Sequence, residues 1–287
     1  MEPTDGKRID DFDIAVINLD RRPDRMSHLY NHAPIMFRRF PAIDGTNLSK
    51  HYFQFSDLLD TIRNQPRVLG EVGCSLSHYS LWKSHCAQHT HEYLVIFEDD
   101  VLFSDTSKTQ YQMITHDILS SSSSDSFIFD LLYVGGQWTP NYDIDGTTPL
   151  PYFHYQQTTN ESLKTHYRKS LVSTIYKRRN HSSSAVIQGS RNVWYSPLFR
   201  TAGAYIISQR GAKRLLEAVE TDTALFMKTP LDMWLLEMDF RGYIEAYDRF
   251  PHPFYQAGFE MVREPSHAMN DIHRGVLTTI QLPPQIT

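Results

Sequence analysis

Residues 93–103, YLVIFEDDVLF, constrain the fold more than any other stretch of this chain. The short apolar run favours a buried strand over a helix, and it ends in three consecutive carboxylates, Glu98, Asp99 and Asp100. Because unpaired charges beside a core are costly, such a cluster either lies in a solvated turn or recruits a cation. Carboxylate oxygens suit Mg²⁺ or Mn²⁺, which complete their shells with water and phosphate oxygens. The pattern predicts a metal-diphosphate site at a strand end, with a solvated turn as the alternative.

Length and charge limit the class of protein. The 287 residues suffice for one large α/β domain or two small ones, with a substantial core. Lys plus Arg total 28 against 33 Asp plus Glu, and this net charge of −5 argues against nucleic acid as a partner. We find no signal-peptide pattern at the start and no segment of membrane-spanning length. With Cys74 and Cys86 as the only cysteines, a disulfide scaffold is excluded, and we expect a cytoplasmic or other reducing compartment.

The first predicted strand spans residues 13–19, and a basic segment follows it. Asp20 is a candidate cap for a helix that begins near Pro23. Three cations surround this junction: Arg21, Arg22 and Arg25. Ligands of doubly wound sheets bind outside the carboxyl ends of the strands, and guanidinium groups clamp phosphate oxygens, so these cations would face an anionic ligand. Exposed local ion pairs are the alternative.

Two further segments carry candidate site residues. The predicted strand 36–43 ends in Asp44, which reads either as part of an Asp-Gly turn or as a carboxylate that holds a ribose hydroxyl. Residues 69–88 have the apolar spacing of an amphipathic helix. Gly70 and Gly73 near its start indicate close approach to a ligand or a neighbouring element. Within the helix, Glu71 and His78 are the polar groups of interest, although a histidine on a helix face is more often structural.

The sequence gives no zinc signature, because neither cysteine has a second cysteine at ligand spacing and the fourteen histidines are scattered. A buried strand is predicted at residues 127–136. Residues 137–199 are polar and aperiodic, which is typical of a mobile loop over an active site or of solvated disorder.

Regular structure returns near the end of the chain. Residues 204–207 predict a short strand, and Ser208 is placed to cap a helix over residues 211–220. Asp232 lies among apolar neighbours at the opening of another helix, where it serves either as a cap or as a general base with a raised pKa. Residues from 251 onward are typical of an extended tail.

Taken in order, these segments resemble glycosyltransferase family 25, which includes bacterial lipooligosaccharide galactosyltransferases and collagen hydroxylysine galactosyltransferases. The resemblance touches most of residues 13–235 and is weakest across residues 137–200. The matching segments are INLDRRPDR (residues 17–25), RRFPAIDG (38–45), LGEVGCSLSHYSLW (69–82), VIFEDDV (95–101), DLLYVGG (130–136), GAYIISQRGAKRLL (203–216) and PLDMWL (230–235).

The resemblance implies a single α/β domain of GT-A type, a Rossmann-like mixed sheet flanked by helices. We place this domain at residues 13–250, after an N-terminal extension (1–12) and before a C-terminal tail (251–287), with 137–200 as a variable acceptor-loop region. It further implies an inverting, metal-dependent transfer of a hexose, most simply galactose from UDP-galactose, to a glycan or hydroxylysine-type hydroxyl. UDP-glucose as donor, and an inactive UDP-sugar-binding or adhesion module, remain the alternatives.

The same resemblance assigns roles to residues. It implies Mn²⁺ or Mg²⁺ on the acidic run, although Glu98 replaces the usual first aspartate, so which of the three carboxylates ligates directly stays open. Asp232 is the first candidate for the general base, with His78 and Glu71 as alternatives. The residues expected to contact the UDP-sugar are Asn18, Asp20, Arg21, Arg22, Arg25, Asp44, Gly45, Gly73, Ser77 and Asp99.

Overall fold

The computed structural model describes residues 12–121, 129–137, 141–142, 149–150, 193–195, 202–249, 253–256, 277–280 and 282. The strands are β1 (Phe12–Asn18), β2 (Arg38–Pro41), β3 (Pro66–Val68), β4 (Tyr93–Glu98), β5 (Val101–Phe103), β6 (Leu131–Tyr133), β7 (Gly135–Gln137), β8 (Asn141–Tyr142), β9 (Pro149–Leu150), β10 (Val193–Tyr195), β11 (Ala204–Ser208), β12 (Ala246–Arg249), β13 (Phe254–Gln256) and β14 (Leu277–Thr279). The helices are α1 (Pro23–His32), a 3₁₀ segment (Gly45–Gln54), α2 (Ser56–Asp60), α3 (Leu69–Gln88), α4 (Ser107–Ser121), α5 (Gln209–Thr221), α6 (Thr223–Lys228) and α7 (Leu231–Arg241).

The main sheet has seven strands in the order β10-β12-β6-β11-β4-β1-β2. β1 runs parallel to β2 and to β4, β12 runs parallel to β6, and β11 is antiparallel to both of its neighbours. This arrangement confirms the predicted mixed α/β sheet flanked by helices. Its consequence for the site is that the carboxyl ends of β1 and β4 lie side by side, since Ile17 pairs with Glu98.

Both faces of the main sheet are buried, which explains why its strands read as continuous apolar runs. Successive side chains alternate between two hydrophobic clusters: Leu94 and Ile96 pack toward one, Val95 and Phe97 toward the other. The first cluster includes buried residues of α3, α5, α6 and α7, and the second includes buried residues of α1 and α4. The sheet therefore lies between two helical layers.

Helix α3 spans the predicted residues 69–88, and its start is pressed against the loop that follows β2. A Cβ added at Gly73 would lie 2.5 Å from the Ile43 carbonyl oxygen, and one at Gly45 would lie 1.7 Å from the Leu69 carbonyl oxygen. Side chains cannot occupy such distances, so both glycines are required for helix and loop to meet. The close approach predicted for Gly73 is made to a neighbouring element of the protein.

The chain leaves the main sheet immediately after Glu98. A turn at Asp99 and Asp100 leads into β5, which pairs with β13 in a second sheet of order β5-β13-β7. The predicted strand 127–136 is likewise divided between β6 in the main sheet and β7 in the small one. These transfers between sheets bring β13 beside the acidic run.

Some local predictions are confirmed and one is wrong. Ser208 caps α5 by accepting a hydrogen bond from the Gly211 amide, as predicted. Asp20 does not cap α1, whose N-cap is Arg22 without a side-chain cap; Asp20 pairs instead with Arg39 of β2, because a guanidinium there competes for its carboxylate. Most of the predicted loop at 137–199 lies outside the described residues. Among the described residues, no helix combines the length and apolarity needed to cross a membrane.

Candidate active site

The candidate site lies where β1 and β4 end and the 98–100 turn begins. Asp99 faces β1 in this turn. Its Oδ2 accepts a hydrogen bond of 2.7 Å from Asn18 Nδ2, and its Oδ1 pairs with Arg25 Nη1 at 2.5 Å. Burial raises the pKa of Asp99, and the charge and hydrogen bonds of Arg25 and Asn18 offset only part of this rise. Both oxygens of Asp99 are thus occupied by protein donors.

Glu98 is held by three side chains. The Cys74 thiol donates to Glu98 Oε1 at 3.4 Å, and His78 Nε2 lies 3.6 Å from the same oxygen, an ion-pair distance beyond hydrogen-bond range. Gln256 Nε2 donates to Glu98 Oε2 at 2.9 Å. Burial acts to raise the pKa of Glu98, but the contacts with His78 and Cys74 outweigh it and hold the pKa of this carboxyl below its usual value.

Asp100 is the least satisfied carboxylate of the three. Gln256 Nε2 donates to its Oδ2 at 3.2 Å, whereas its Oδ1 is buried and has no hydrogen-bond partner, although the residue as a whole is partly exposed. Burial, together with the charges of Glu98 and Asp99, raises the pKa of Asp100 to about 8. An orphaned carboxylate oxygen in a cluster of like charge is the feature that a divalent cation would satisfy.

His78 lies behind Glu98, fully buried on α3. Its Nδ1 is 2.7 Å from the Tyr205 hydroxyl oxygen, which also accepts a hydrogen bond of 3.0 Å from Trp82 Nε1. Because the Tyr205 hydroxyl can donate one hydrogen bond and still accept a second beside that of Trp82, its contact with His78 Nδ1 is compatible with either tautomer of the ring. This chain of contacts positions Glu98 and leaves His78 no exposure to an acceptor substrate.

The cations after β1 are paired with carboxylates. Arg21 Nε donates to Asp44 Oδ2 at 2.9 Å, which joins the first and second predicted ligand-facing segments. Burial opposes ionisation of Asp44, but hydrogen bonds from Thr46 and Arg21 hold its pKa below the ordinary value. Arg22 pairs with Asp24 at 2.7 Å, the local exposed pair that was the alternative for this segment.

Of the remaining predicted residues, Asp232 lies near the acidic run, whereas Glu71 and Ser77 make contacts within the protein. Asp232 lies at the start of α7, accepts a hydrogen bond of 2.8 Å from the Met233 amide, and is near enough for its charge to contribute to the raised pKa of the Cys74 thiol, after burial and Glu98. Glu71 pairs with Arg67 at 3.5 Å. Ser77 is fully buried and joins α3 to the β2 loop by accepting from the Ile43 amide and donating to the Gly73 carbonyl.

Four residues in this arrangement were missed by sequence reasoning. Gln256 reaches the acidic run from β13, 158 residues beyond Glu98, in the segment assigned to the tail. Gly203 makes room for it, since an added Cβ would lie 2.8 Å from the Gln256 side chain. Cys74 and Tyr205 each lie inside a segment that carries the family resemblance. The one sequence signal that could have indicated this cluster is the spacing of Cys74 and His78, which are four residues apart on a helix.

A family model described as "Glycosyltransferase family 25 (LPS biosynthesis protein)" matches residues 12–234. A glycosyltransferase 25 family member of Aedes aegypti is 31% identical over 131 residues, 42% of this chain and 21% of that protein. An inactive glycosyltransferase 25 family member 3 of Mus musculus is 33% identical over 132 residues, 43% of this chain and 22% of that protein.

A third relative is a procollagen lysyl hydroxylase and glycosyltransferase of Acanthamoeba polyphaga mimivirus. It is 32% identical over 136 residues, 42% of this chain and 14% of that protein. The chain therefore spans less than a quarter of the length of these three curated relatives.

Proposed function

The chain belongs to glycosyltransferase family 25, and we propose on that premise that it transfers a hexose from a UDP-hexose donor to an acceptor hydroxyl at the carboxyl ends of β1 and β4. The observation that carries the proposal is the buried, unpartnered Oδ1 of Asp100 within a run of three carboxylates. Three carboxylates clustered at a strand end are unfavourable in the metal-free protein, and a bound cation would neutralise their charge.

The residues present fit Mn²⁺ or Mg²⁺. Asp100 offers a free carboxylate oxygen, whereas both oxygens of Asp99 are taken by Asn18 and Arg25 and those of Glu98 are held by Cys74, His78 and Gln256. We therefore assign direct ligation to Asp100, with Glu98 adjoining and Asp99 fixing the turn. A bound divalent ion would supply Lewis-acid stabilisation of the diphosphate that leaves the sugar.

The other residues of the site bind and orient the substrates. The Arg21–Asp44 pair lies on the β1 side of the acidic run and is suited to a nucleotide, because a guanidinium can contact phosphate while a carboxylate accepts from ribose hydroxyls. Asp232 lies near enough to Cys74 for its charge to help raise the pKa of that thiol. We assign Asp232 to deprotonate the acceptor hydroxyl in a single in-line displacement. His78, fully buried, orients Glu98.

Galactose is the donor sugar we propose first, and UDP-glucose is the alternative, since the two differ in one hydroxyl orientation. The acceptor class follows from the relatives: the family description names lipopolysaccharide biosynthesis, and the mimivirus protein is named for procollagen, so we propose a glycan or a hydroxylysine-type hydroxyl. A donor-binding module without turnover is the second candidate, because the mouse relative is named inactive.

The experiment is a panel of UDP-sugars assayed for hydrolysis and transfer with Mn²⁺, with EDTA, and with the Asp100→Asn variant. We expect one UDP-hexose to be consumed, and consumption to stop with EDTA or with Asp100→Asn. Asp105→Asn, the same change at an exposed residue of the following turn, is the matched control and should retain activity. Metal-dependent UDP binding without consumption of any donor would favour the inactive module, and activity that survives both EDTA and Asp100→Asn would refute the metal role.

A further inference from the structure

We propose that Cys74, His78 and Glu98 form a second cation site, which takes a divalent ion of the zinc class and lies beside the acidic strand end. Cys74 Sγ, His78 Nε2 and a Glu98 carboxylate oxygen all lie within 4.8 Å of one another. Cys74 and His78 are four residues apart on α3 and so share one face of the helix, while Glu98 approaches from the end of β4. An ion held by the three would pin the helix to the strand.

Two of the three separations among the ligand atoms match those around one tetrahedral ion, and the third, between Cys74 Sγ and His78 Nε2, is within 4.8 Å. Cys74 Sγ and His78 Nε2 lie 3.4 and 3.6 Å from Glu98 Oε1. With zinc–sulfur bonds of about 2.3 Å and zinc–nitrogen or zinc–oxygen bonds of about 2.0–2.2 Å, neighbouring ligand atoms of a tetrahedron are separated by about 3.4–3.6 Å. The two separations to Glu98 thus already suit a shared ion, and the fourth position is left for water or a further ligand.

A second observation points to a ligand at this place. His78 is fully buried, and its Nε2 has no hydrogen-bond partner while facing the cluster. On the other side of the ring, Nδ1 lies 2.7 Å from the Tyr205 hydroxyl oxygen, which can accept a hydrogen bond from Nδ1–H when Nε2 binds a metal. Histidine ligands in metalloproteins are held by such an outer partner, which fixes the tautomer and the ring orientation.

The donor set selects the metal. Thiolate and imidazole favour Zn²⁺ over Mn²⁺ or Mg²⁺, which prefer the oxygen donors around Asp100. Binding releases the Cys74 thiol proton to solvent, and the resulting thiolate and the Glu98 carboxylate together neutralise a divalent ion. The site is thus chemically distinct from the proposed donor-metal site, although the two adjoin at Glu98.

Cobalt titration of the full-length chain tests this site without reference to sugar transfer. The reduced protein, freed of metal with EDTA and desalted, is titrated anaerobically with Co²⁺ in the absence of nucleotide. We expect a thiolate-to-cobalt charge-transfer band and the strong visible bands of four-coordinate cobalt, saturating at about one ion per chain and bleached by Zn²⁺. Absence of the charge-transfer band in the wild-type protein overturns the proposal.

Matched cysteine variants locate the band. Cys74→Ser should abolish it, whereas Cys86→Ser, on the same helix, should leave it unchanged. His78→Asn should weaken Co²⁺ binding at least about tenfold. A band that persists in Cys74→Ser, or that disappears in Cys86→Ser, refutes the assignment even if His78→Asn does not fold. Failure of Mn²⁺-dependent UDP binding alongside an intact cobalt band would count only against the proposed sugar transfer.

Discussion

Replacing Asp100 with asparagine should stabilise the metal-free protein while abolishing its metal-dependent activity. The pKa of Asp100 rises from 3.8 to about 8 in the folded state, chiefly because of burial and then because of Glu98 and Asp99. At pH 7 the unfolded chain ionises this carboxyl, whereas the folded chain keeps it largely protonated. By linkage, this difference in pKa between the unfolded and folded states lowers the free energy of unfolding at pH 7 by about 4 kcal/mol. Because Asp100 is partly exposed, we expect Asp100→Asn to raise the free energy of unfolding by about 2–4 kcal/mol.

The sign of the pH dependence follows from the raised pKa. A carboxyl that binds its proton more tightly when folded contributes full stability below the unfolded pKa and loses it as pH rises through the folded value. The advantage of Asp100→Asn should therefore be absent at pH 4, grow between pH 4 and about 8, and then level off. Urea unfolding of both proteins in EDTA at a series of pH values measures this difference directly.

Asp130→Asn is the matched control, because it makes the same change at a fully buried carboxylate that is satisfied. Asp130 pairs with Arg210 and with Arg214, each at 2.6 Å, so its replacement should destabilise the protein by about 1–3 kcal/mol. Mn²⁺ with UDP should stabilise the wild type and not Asp100→Asn. Destabilisation by Asp100→Asn at pH 7, or an advantage that does not vary with pH, would refute the electrostatic argument.

Three further predictions concern other parts of the molecule. Asp232→Asn should lower turnover by about 10²–10⁴-fold with UDP affinity near normal, as measured by transfer kinetics and calorimetry; unaltered turnover removes Asp232 from the mechanism. Burial lowers the pKa of His85 to about 4, so its charging should cost about 3 kcal/mol of stability as pH drops from 6.5 to 4, and the fall measured by urea unfolding should be smaller by about that amount in His85→Gln. Gly73→Ala should cost at least about 2 kcal/mol, because its Cβ would meet the Ile43 carbonyl oxygen at 2.5 Å; a thermal midpoint equal to wild type would contradict that close approach.

Much of the fold was accessible from local pattern. Helix α3 covers the predicted residues 69–88 because its apolar spacing and its length are properties of that segment alone. The strand before the acidic run and the Ser208 cap were predicted for the same reason, since apolar runs and capping residues act within a few positions. The end of the Tyr93–Glu98 strand and the three carboxylates that lie there could thus be predicted from the order of residues within this segment.

The surroundings of those carboxylates were decided only by the tertiary structure. Gln256 arrives from a strand of the second sheet, and Tyr205 comes within reach of His78 because β11 lies antiparallel to β4 with Tyr205 opposite Ile96. The periodicity of a single strand determines neither the order of strands in the sheet nor their register.

Whether a carboxylate of the acidic run carries a paired charge or an orphaned oxygen depends on such distant partners. The sequence alone therefore placed the acidic run at a strand end, while the packing of remote elements separated the roles of Glu98, Asp99 and Asp100.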